Sequence, residues 1–217
     1  MRKRTLAASA ATAACGLVLG LAGPAAAGTG GVLTVGSAGG TNVNPGDTLT
    51  GPINSNFVFT TSSGKITCTS GKFTATDSTN GPVGGTATES ISQLHADAAS
   101  CTTTISGTTS VVSVELNGPA TGTVTDGANP TLHVSGLDEK VTLHSILGTN
   151  VVCDYGTTGS VTEIDGALNN TTNSATFTTQ AVNRISGSGL CPTTGTFSGG
   201  IGPITDTTQA GQKTFVN

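Results

Sequence analysis

Two histidines in the stretch TLHVSGLDEKVTLHS, residues 131–145, are the strongest candidates for chemistry in this sequence. His133 and His144 each alternate with apolar residues, a pattern typical of β-strands that bury one face. If the two strands form a hairpin, its register places both imidazoles on one face. With Asp138 and Glu139 in the connecting loop, that face can bind zinc or copper. The alternative is a solvated polar face that happens to carry two histidines, and no third ligand is identified.

Other catalytic signatures are missing from the sequence. It has no G-x-S-x-G nucleophile elbow, no phosphate-loop lysine and no D-x-D-x-D-G calcium loop. His95 has no recognisable partner, and acids such as Glu89, Glu115, Asp154 and Glu163 are scattered as surface charges usually are. We therefore predict a protein that is not an enzyme, has no catalytic or metal-binding residues and uses no cofactor; its binding residues stay unknown.

Four cysteines remain beyond residue 27: Cys68, Cys101, Cys153 and Cys191. An even number in an exported protein favours disulfides, whereas zinc sites usually bring cysteines in close C-x-x-C pairs, and a catalytic thiol would leave one cysteine over. Three pairings are open. The sequential one, Cys68 with Cys101 and Cys153 with Cys191, is the simplest. On loop-closure entropy, each such bond contributes roughly 4 kcal/mol to stability.

The N-terminus predicts a secretory signal peptide over residues 1–27. Three of its first four residues are cationic, an uncharged Ala/Leu/Val run follows, and small residues end it at Ala25–Ala27. An uncleaved membrane anchor and a lipid attached at Cys15 are the alternatives. Past this segment no apolar run is long enough for a membrane helix, so we expect no membrane span after cleavage.

The composition beyond residue 27 indicates an acidic all-β protein. Five cations against twelve acids give a net charge of −7, which repels nucleic acid and anionic lipid. Threonine and glycine dominate and tryptophan is absent, a mixture typical of strands joined by frequent turns. We predict an antiparallel β-sandwich or barrel-like fold, cross-linked by two disulfides and with at most one short helix.

Along the chain, we predict a flexible N-terminal arm over residues 28–45 and a β domain over 46–217. The glycine-rich arm has an alternative, a loosely held first strand around Val32 to Val35. Within the domain, residues 89–100 suit a short helix or a strand equally. A weak similarity between KITC…GKFT and NVVC…GSVT suggests a duplication that produced two similar halves. Coincidence explains it as well in a sequence so rich in threonine and glycine.

Three motifs carry a family resemblance: FTTSSGKITC, VVCDYG and SGSGLCPTTGTFSG. They resemble a group of exported, β-rich, four-cysteine proteins of actinobacteria that have no assigned activity. The resemblance covers most of the chain past residue 27, its motifs are of low specificity, and it transfers no catalytic or binding residue. It implies a secreted actinobacterial protein.

These observations favour a secreted or cell-surface protein with a binding or envelope-structural role and an extracellular or cell-wall partner. One alternative is an exported hydrolase or metal-binding protein that uses the face of His133 and His144. Another is a secreted protease inhibitor, which would present an exposed, rigid loop between the disulfides.

Overall fold

The computed structural model describes residues 30–217, which fold almost entirely into antiparallel β-strands. The all-β prediction is confirmed, and the short-helix limit is met by a single 3₁₀ turn at Ala98–Ser100. No helix in this part of the chain is long and apolar enough to cross a membrane. The strands are β1 (Leu33–Val35), β2 (Thr41–Asn42), β3 (Thr48–Thr61), β4 (Gly64–Cys68), β5 (Gly71–Asn80), β6 (Thr86–Ala96), β7 (Cys101–Thr103), β8 (Thr108–Leu116), β9 (Ala120–Thr125), β10 (Thr131–Ser135), β11 (Asp138–Ser145), β12 (Asn150–Gly156), β13 (Glu163–Asn169), β14 (Ser174–Gly187), β15 (Thr194–Ile201), β16 (Thr205–Asp206) and β17 (Gln212–Val216).

Eight strands close into a barrel, which we call the lower section. Around the ring, the order is β3, β5, β6, β9, β10, β13, β14 and β15, and β15 pairs with β3 again. A ring of eight strands has a lumen just wide enough to be filled by side chains or to hold one small ligand. The barrel alternative of the predicted fold class is therefore the one that this chain adopts.

The long strands of this ring continue into a second layer, which we call the upper section. Strand β3 pairs with β5 through residues 48–52 and with β4 through residues 57–61. Strand β14 likewise pairs first with β13 and then with β12. The upper section runs from β7 through β4, β3, β15, β14, β12 and β11 to β8. Each section takes four strands from residues 48–125 and four from residues 131–201, so the two halves of the sequence interleave.

Successive side chains along each strand point alternately into the lumen and out to solvent. On β10, Leu132 and Val134 are buried, while the threonine, histidine and serine that alternate with them face outward. Aromatic rings fit inside because glycines on the neighbouring strand make room for them. A Cβ atom at Gly199 would lie 2.3 Å from the ring of Phe57, and one at Gly195 would lie 2.6 Å from the ring of Phe59. The high glycine content thus serves ring packing as well as turns.

The prediction of a flexible arm over residues 28–45 is wrong for residues 30–45, and its alternative, a first strand, is found. Strand β1 pairs with β2 on one side and with β17 on the other. Val32 and Val43 are 0% and 1% exposed. These apolar side chains cover the lower end of the barrel, and their burial offsets the conformational freedom of the glycines. Residues 28–29 and the predicted signal peptide, residues 1–27, lie outside the described residues.

The ambiguous segment 89–100 is mainly a strand. Strand β6 extends to Ala96, and only the three residues of the 3₁₀ turn that follow are helical. Ile91 and Leu94 do not share one helix face. A register shift between Thr74 and Ala75 of β5 moves the strand by one residue between them, which lets both line the lumen. The three-residue spacing of Ile91 and Leu94 therefore reflects a β-bulge, which adds one residue to β6 between them.

Both predicted disulfides are confirmed. Cys68 at the end of β4 lies directly opposite Cys101 at the start of β7, and the two are bonded. Cys153 on β12 is bonded to Cys191, which lies in the loop between β14 and β15. All but Cys101 are nearly completely buried, so the sulfur atoms are cross-links that pack against the apolar interior.

Replacing Cys153 and Cys191 together by alanine should lower the free energy of unfolding by about 2–5 kcal/mol, because the unfolded chain regains the freedom of the closed loop. Urea unfolding followed by far-ultraviolet circular dichroism measures the change. The double replacement of Cys68 and Cys101, which closes a loop of similar length, is the matched comparison. Alkylation of these four cysteines in the unreduced native protein would contradict their assignment as cross-links.

Candidate functional site

The interior of the upper section contains a cavity of about 60 Å³. Its wall is apolar, with Phe57, Ile66, Val114 and Val141 among the lining side chains, and Glu139 is the one acid on it. A cavity needs only roughly 10–15 Å³ to hold a water molecule, but a water also needs polar partners, which this wall offers only at Glu139. The space is therefore suited to an apolar group beside a single carboxyl.

A second cavity of about 50 Å³ lies between this one and the upper end of the barrel. The two share Phe59, Ile66, Val141 and Tyr155 on their walls. Toward the end of the barrel, the second cavity is lined by Leu190, whose side chain is 70% exposed. The two cavities therefore adjoin, with Glu139 on the wall of the first and the exposed Leu190 on the wall of the second.

Tyr155 is fixed between the two cavities. Its hydroxyl donates a hydrogen bond of 2.9 Å to the carbonyl oxygen of Pro192, and its ring centroid lies 4.6 Å from that of Phe59. Burial raises the pKa of Tyr155 to about 12, against the opposing charge of Arg184, so the phenol stays neutral. It therefore presents an apolar ring to both spaces, with its polar atom already bonded.

Glu139 points into the lumen because it alternates in register with the buried side chains of β11. Its cross-strand neighbours are Leu116 and Tyr155, and its Oε2 atom is buried without a hydrogen-bond partner. Burial raises the pKa of Glu139 well above its usual value, and the nearby charges of Glu115 and Asp138 raise it further. Burial thus favours the neutral form of this carboxyl at the wall of an apolar cavity.

The predicted hairpin between His133 and His144 is wrong. In the described part of the chain, β10 pairs with β9 and β13, whereas β11 pairs with β8 and β12. The chain crosses from the lower to the upper section at Leu137, which is buried and exchanges hydrogen bonds with Thr157. Burial of this leucine in the lumen takes the place of a surface turn, and the two histidines lie in different sections.

His133 instead joins a hydrogen-bonded row on the outer face of the lower section. Its Nδ1 lies 2.7 Å from Asp165 Oδ1, and its Nε2 lies 2.9 Å from Thr131 Oγ1. This is the order of acid, base and hydroxyl found in hydrolase triads. However, the Thr131 hydroxyl is also bonded to Thr125, and none of the three lines the cavities described above. The row lacks the pocket that a substrate needs.

A metal ion is better suited to this row than a substrate. Glu163 lies two residues before Asp165 on β13, and potential ligand atoms of His133, Glu163 and Asp165 all lie within 4.8 Å of one another. One imidazole and two carboxylates are donors that zinc accepts. His144 lies apart and bonds Asn150, while His95 pairs with Asp97, so neither adds a fourth ligand.

Four buried acids gather at the lower end of the barrel: Asp47, Asp77, Glu89 and Asp206. Asp77 and Glu89 lie opposite each other on β5 and β6, and neither oxygen of Asp77 has a hydrogen-bond partner. Asp47 accepts hydrogen bonds of 2.8 Å from the Asn44 amide and from Gln209 Nε2. Among the described residues, no lysine or arginine forms an ion pair with any of the four.

With no cation of the described chain paired to them, these acids have pKa values that burial and their mutual repulsion shift. Burial raises the pKa of Glu89 to about 7, and the charge of Asp77 adds to the effect. Burial and the charges of Asp47 and Asp206 raise the pKa of Asp77 to about 6. Although burial opposes it, hydrogen bonds from Asn44 and Gln209 hold the pKa of Asp47 below its usual value. As the pH falls, Glu89 and Asp77 therefore take up protons at about pH 7 and pH 6, before carboxyls of ordinary pKa do.

No family model, curated protein or solved structure matches this chain. The function is therefore argued from the geometry of the lumen and of the outer face. Sequence patterns did not single out the lumen site, although one signal was present: Glu139 keeps the same odd-numbered alternation as Leu137, Val141 and Leu143.

We expect the free energy of unfolding to fall as the pH rises from about 4 to about 8. Carboxyls of the unfolded chain titrate near pH 4, whereas in the folded protein Asp77 and Glu89 keep their protons until about pH 6 and 7. The folded state binds more protons over this window, so stability is greatest at its acid end. Urea unfolding at half-unit pH steps measures the profile.

The Glu89→Gln variant should flatten this profile and be more stable than the parent at pH 8, by about 1–3 kcal/mol. Glutamine keeps the shape of the side chain and needs no proton to stay neutral. The exposed acid Glu163, changed to glutamine, is the matched control and should leave the profile unchanged. A Glu89→Gln profile as steep as that of the parent would show that this acid does not govern it.

Proposed function

We propose that this protein is an exported, non-enzymatic binding protein that holds a small apolar molecule in the lumen of its upper section. The observation that carries the proposal is the apolar cavity of about 60 Å³ with Glu139 on its wall. Binding sites for small molecules are enclosed, mostly apolar and supplied with a few polar groups that orient the ligand. This cavity has that composition.

The cost of the empty space supports a binding role. A cavity in a packed interior destabilises a protein by about 24 cal/mol for each Å³, which amounts to about 1–2 kcal/mol for the first cavity. Larger apolar side chains at the lining positions would fill the cavity and would keep the alternation of buried and exposed residues along the strands. A lumen left partly empty beside a carboxyl with one buried, unbonded oxygen is the arrangement expected of a ligand site.

The upper rim offers a route of entry. Leu190 covers the second cavity from the loop between β14 and β15, and the loop between β11 and β12 exposes Ile146 and Leu147 by 68% and 83%. The backbone amide of Ile146 donates to the carbonyl oxygen of Gly107, which also lines the second cavity. Apolar side chains at the rim lower the cost of carrying an apolar molecule from solvent into the lumen.

Export is supported by the two disulfides and by the N-terminal sequence. Disulfides persist in oxidising compartments, and small side chains such as threonine and glycine contribute little apolar burial to replace them. The protein then acts outside the cell or at its surface, where a carrier or envelope partner can receive the ligand.

Metal binding on the outer face is a second candidate function, favoured by the three ligand atoms of His133, Glu163 and Asp165. The side chains of His133 and Asp165 are 31% and 54% exposed, which leaves room for water or an external ligand on the ion. This site lies on the outside of the lower section, so it is independent of the lumen.

Xenon, a probe of apolar cavities, should enter the upper section of the folded protein. Under xenon pressure, methyl resonances of Val141, Ile66 and Val114 should shift in carbon–proton correlation spectra, and the shifts should saturate. The Val141→Phe variant places a ring in both cavities and should abolish the effect. The Thr142→Phe variant is the matched control, because the next residue on β11 faces outward.

Shifts of the same size in Val141→Phe and in the parent would overturn the proposed site. So would a parent protein whose lining methyl groups do not respond to xenon. Circular dichroism of both phenylalanine variants establishes that each retains the barrel, since overpacking costs about 1–3 kcal/mol.

Zinc titration followed by calorimetry tests the second candidate. The parent should bind one ion, and either His133→Ala or Asp165→Asn should weaken binding by at least about tenfold, because one of three ligands is lost. His144→Ala is the matched control and should bind as the parent does. Equal affinity in His133→Ala and the parent would remove this site.

A further inference from the structure

The ligand group that Glu139 recognises follows from the charges around the cavity, on the basis of the proposed binding function. Within the described residues, the groups that raise the pKa of Glu139 beyond the effect of burial are Glu115 and Asp138, both acids. These two acids do not line the cavity, but their charges disfavour an anion inside it. A neutral ligand would gain one hydrogen bond from the Glu139 carboxyl, whereas an ammonium would gain a charge-assisted hydrogen bond with the Glu139 carboxylate and the attraction of the two outer acids.

The cations of the protein nearest in sequence and register are directed elsewhere. Lys140 follows Glu139 on β11 but lies on the opposite face of the strand, between its cross-strand partners Glu115 and Asp154. Arg184, which lies across from Tyr155, donates hydrogen bonds to the carbonyl oxygens of Ser188 and Cys191. The buried Oε2 atom of Glu139 is therefore open to a cation from outside.

We infer that the ligand is a small primary amine with an apolar tail, its ammonium bound to Glu139 and its tail lying along Phe59 and Tyr155. An ammonium is compact and donates three hydrogen bonds, which suits a cavity of about 60 Å³ with one acid. The tail follows the shared wall into the second cavity of about 50 Å³. The net charge of −4 of the whole sequence favours the approach of cations.

Binding exchanges one cation for another. Burial favours a proton on Glu139 in the free protein. The ammonium enters with its own three protons, the Glu139 proton leaves to the buffer, and a carboxylate–ammonium pair remains. No covalent bond forms or breaks apart from that O–H bond. The pair is desolvated on both sides, so it is stabilised by its hydrogen bonds and by the absence of competing water.

Three probes of equal length separate the ligand classes: n-butylamine, 1-butanol and butyrate. Calorimetry at pH 6.5 should show n-butylamine binding at least about tenfold more tightly than 1-butanol, the factor expected of one charge-assisted hydrogen bond, and no binding of butyrate. Repeating the n-butylamine titration in phosphate and in MES, which differ in ionisation enthalpy and contain no primary amine, should show net proton release when the amine binds, as the exchange requires.

The Glu139→Gln variant should bind n-butylamine no more tightly than 1-butanol and should release no proton. The Glu115→Gln variant removes the same charge from the outer face, and its amine affinity should stay within about threefold of the parent because the direct partner is intact. Thermal unfolding compares the folding of both variants with that of the parent, and proton release by the parent tests the exchange without any variant.

The outcomes separate this inference from the proposed function. If 1-butanol binds and xenon enters the lumen but n-butylamine has no advantage, the amine assignment is overturned and the apolar site stands. An amine preference that survives in Glu139→Gln also overturns it. If none of the three probes binds and xenon does not enter, both the site and its ligand class are rejected.

Discussion

The ladder between β15 and β3 is the contact on which the rest of the structure depends. It joins residues 195–201 to residues 53–61 and closes the ring, so that no open sheet edge remains at this seam. Closure also creates the lumen. The chain has six phenylalanines, one tyrosine and no tryptophan with which to fill it. Five of these rings pack in the lumen, in contacts of 4.6–5.7 Å between centroids, and the cavities beside them stay open. They are Phe57, Phe59, Tyr155, Phe177 and Phe197.

The same enclosure gives the buried acids their properties. In the lower section, Asp77 and Glu89 meet other acids, and their neutral forms are favoured by burial and by repulsion between them. In the upper section, Glu139 faces an apolar space, and the charges that raise its pKa beyond the effect of burial are those of Glu115 and Asp138. Among the described residues, four acids are buried at the lower end and Glu139 has one buried oxygen in the upper section, and no lysine or arginine forms an ion pair with any of them. Each end of the lumen therefore has a deficit of positive charge. Protons on Asp77 and Glu89 meet that deficit below, and above it is the basis of the ligand class that we propose.

Local patterns were sufficient for the strands and the cross-links, but not for the pairing of strands distant in sequence. Alternation predicted an all-β chain, and an even cysteine count with sequential spacing predicted both disulfides. The hairpin from 131 to 145 failed because neighbouring strands in sequence join different sections here, which no local pattern records. The partnership of His133 with Asp165 depends on a ladder between residues thirty-two apart. The inward direction of Glu139 could have been predicted from its alternation with Val141. It was missed because this charged residue was assigned to a loop between two strands.

The strands that pass through both sections couple the unfolding of the two ends of the molecule. Because β3, β14 and β15 belong to both sections, the ladders of β15 with β14 and with β3 are shared, and loss of either one opens both sections. Opening is then a single cooperative event, and amide hydrogens at both ends exchange with solvent through it. A molecule held in the upper lumen would thus protect backbone amides beside the acids at the far end, without touching them.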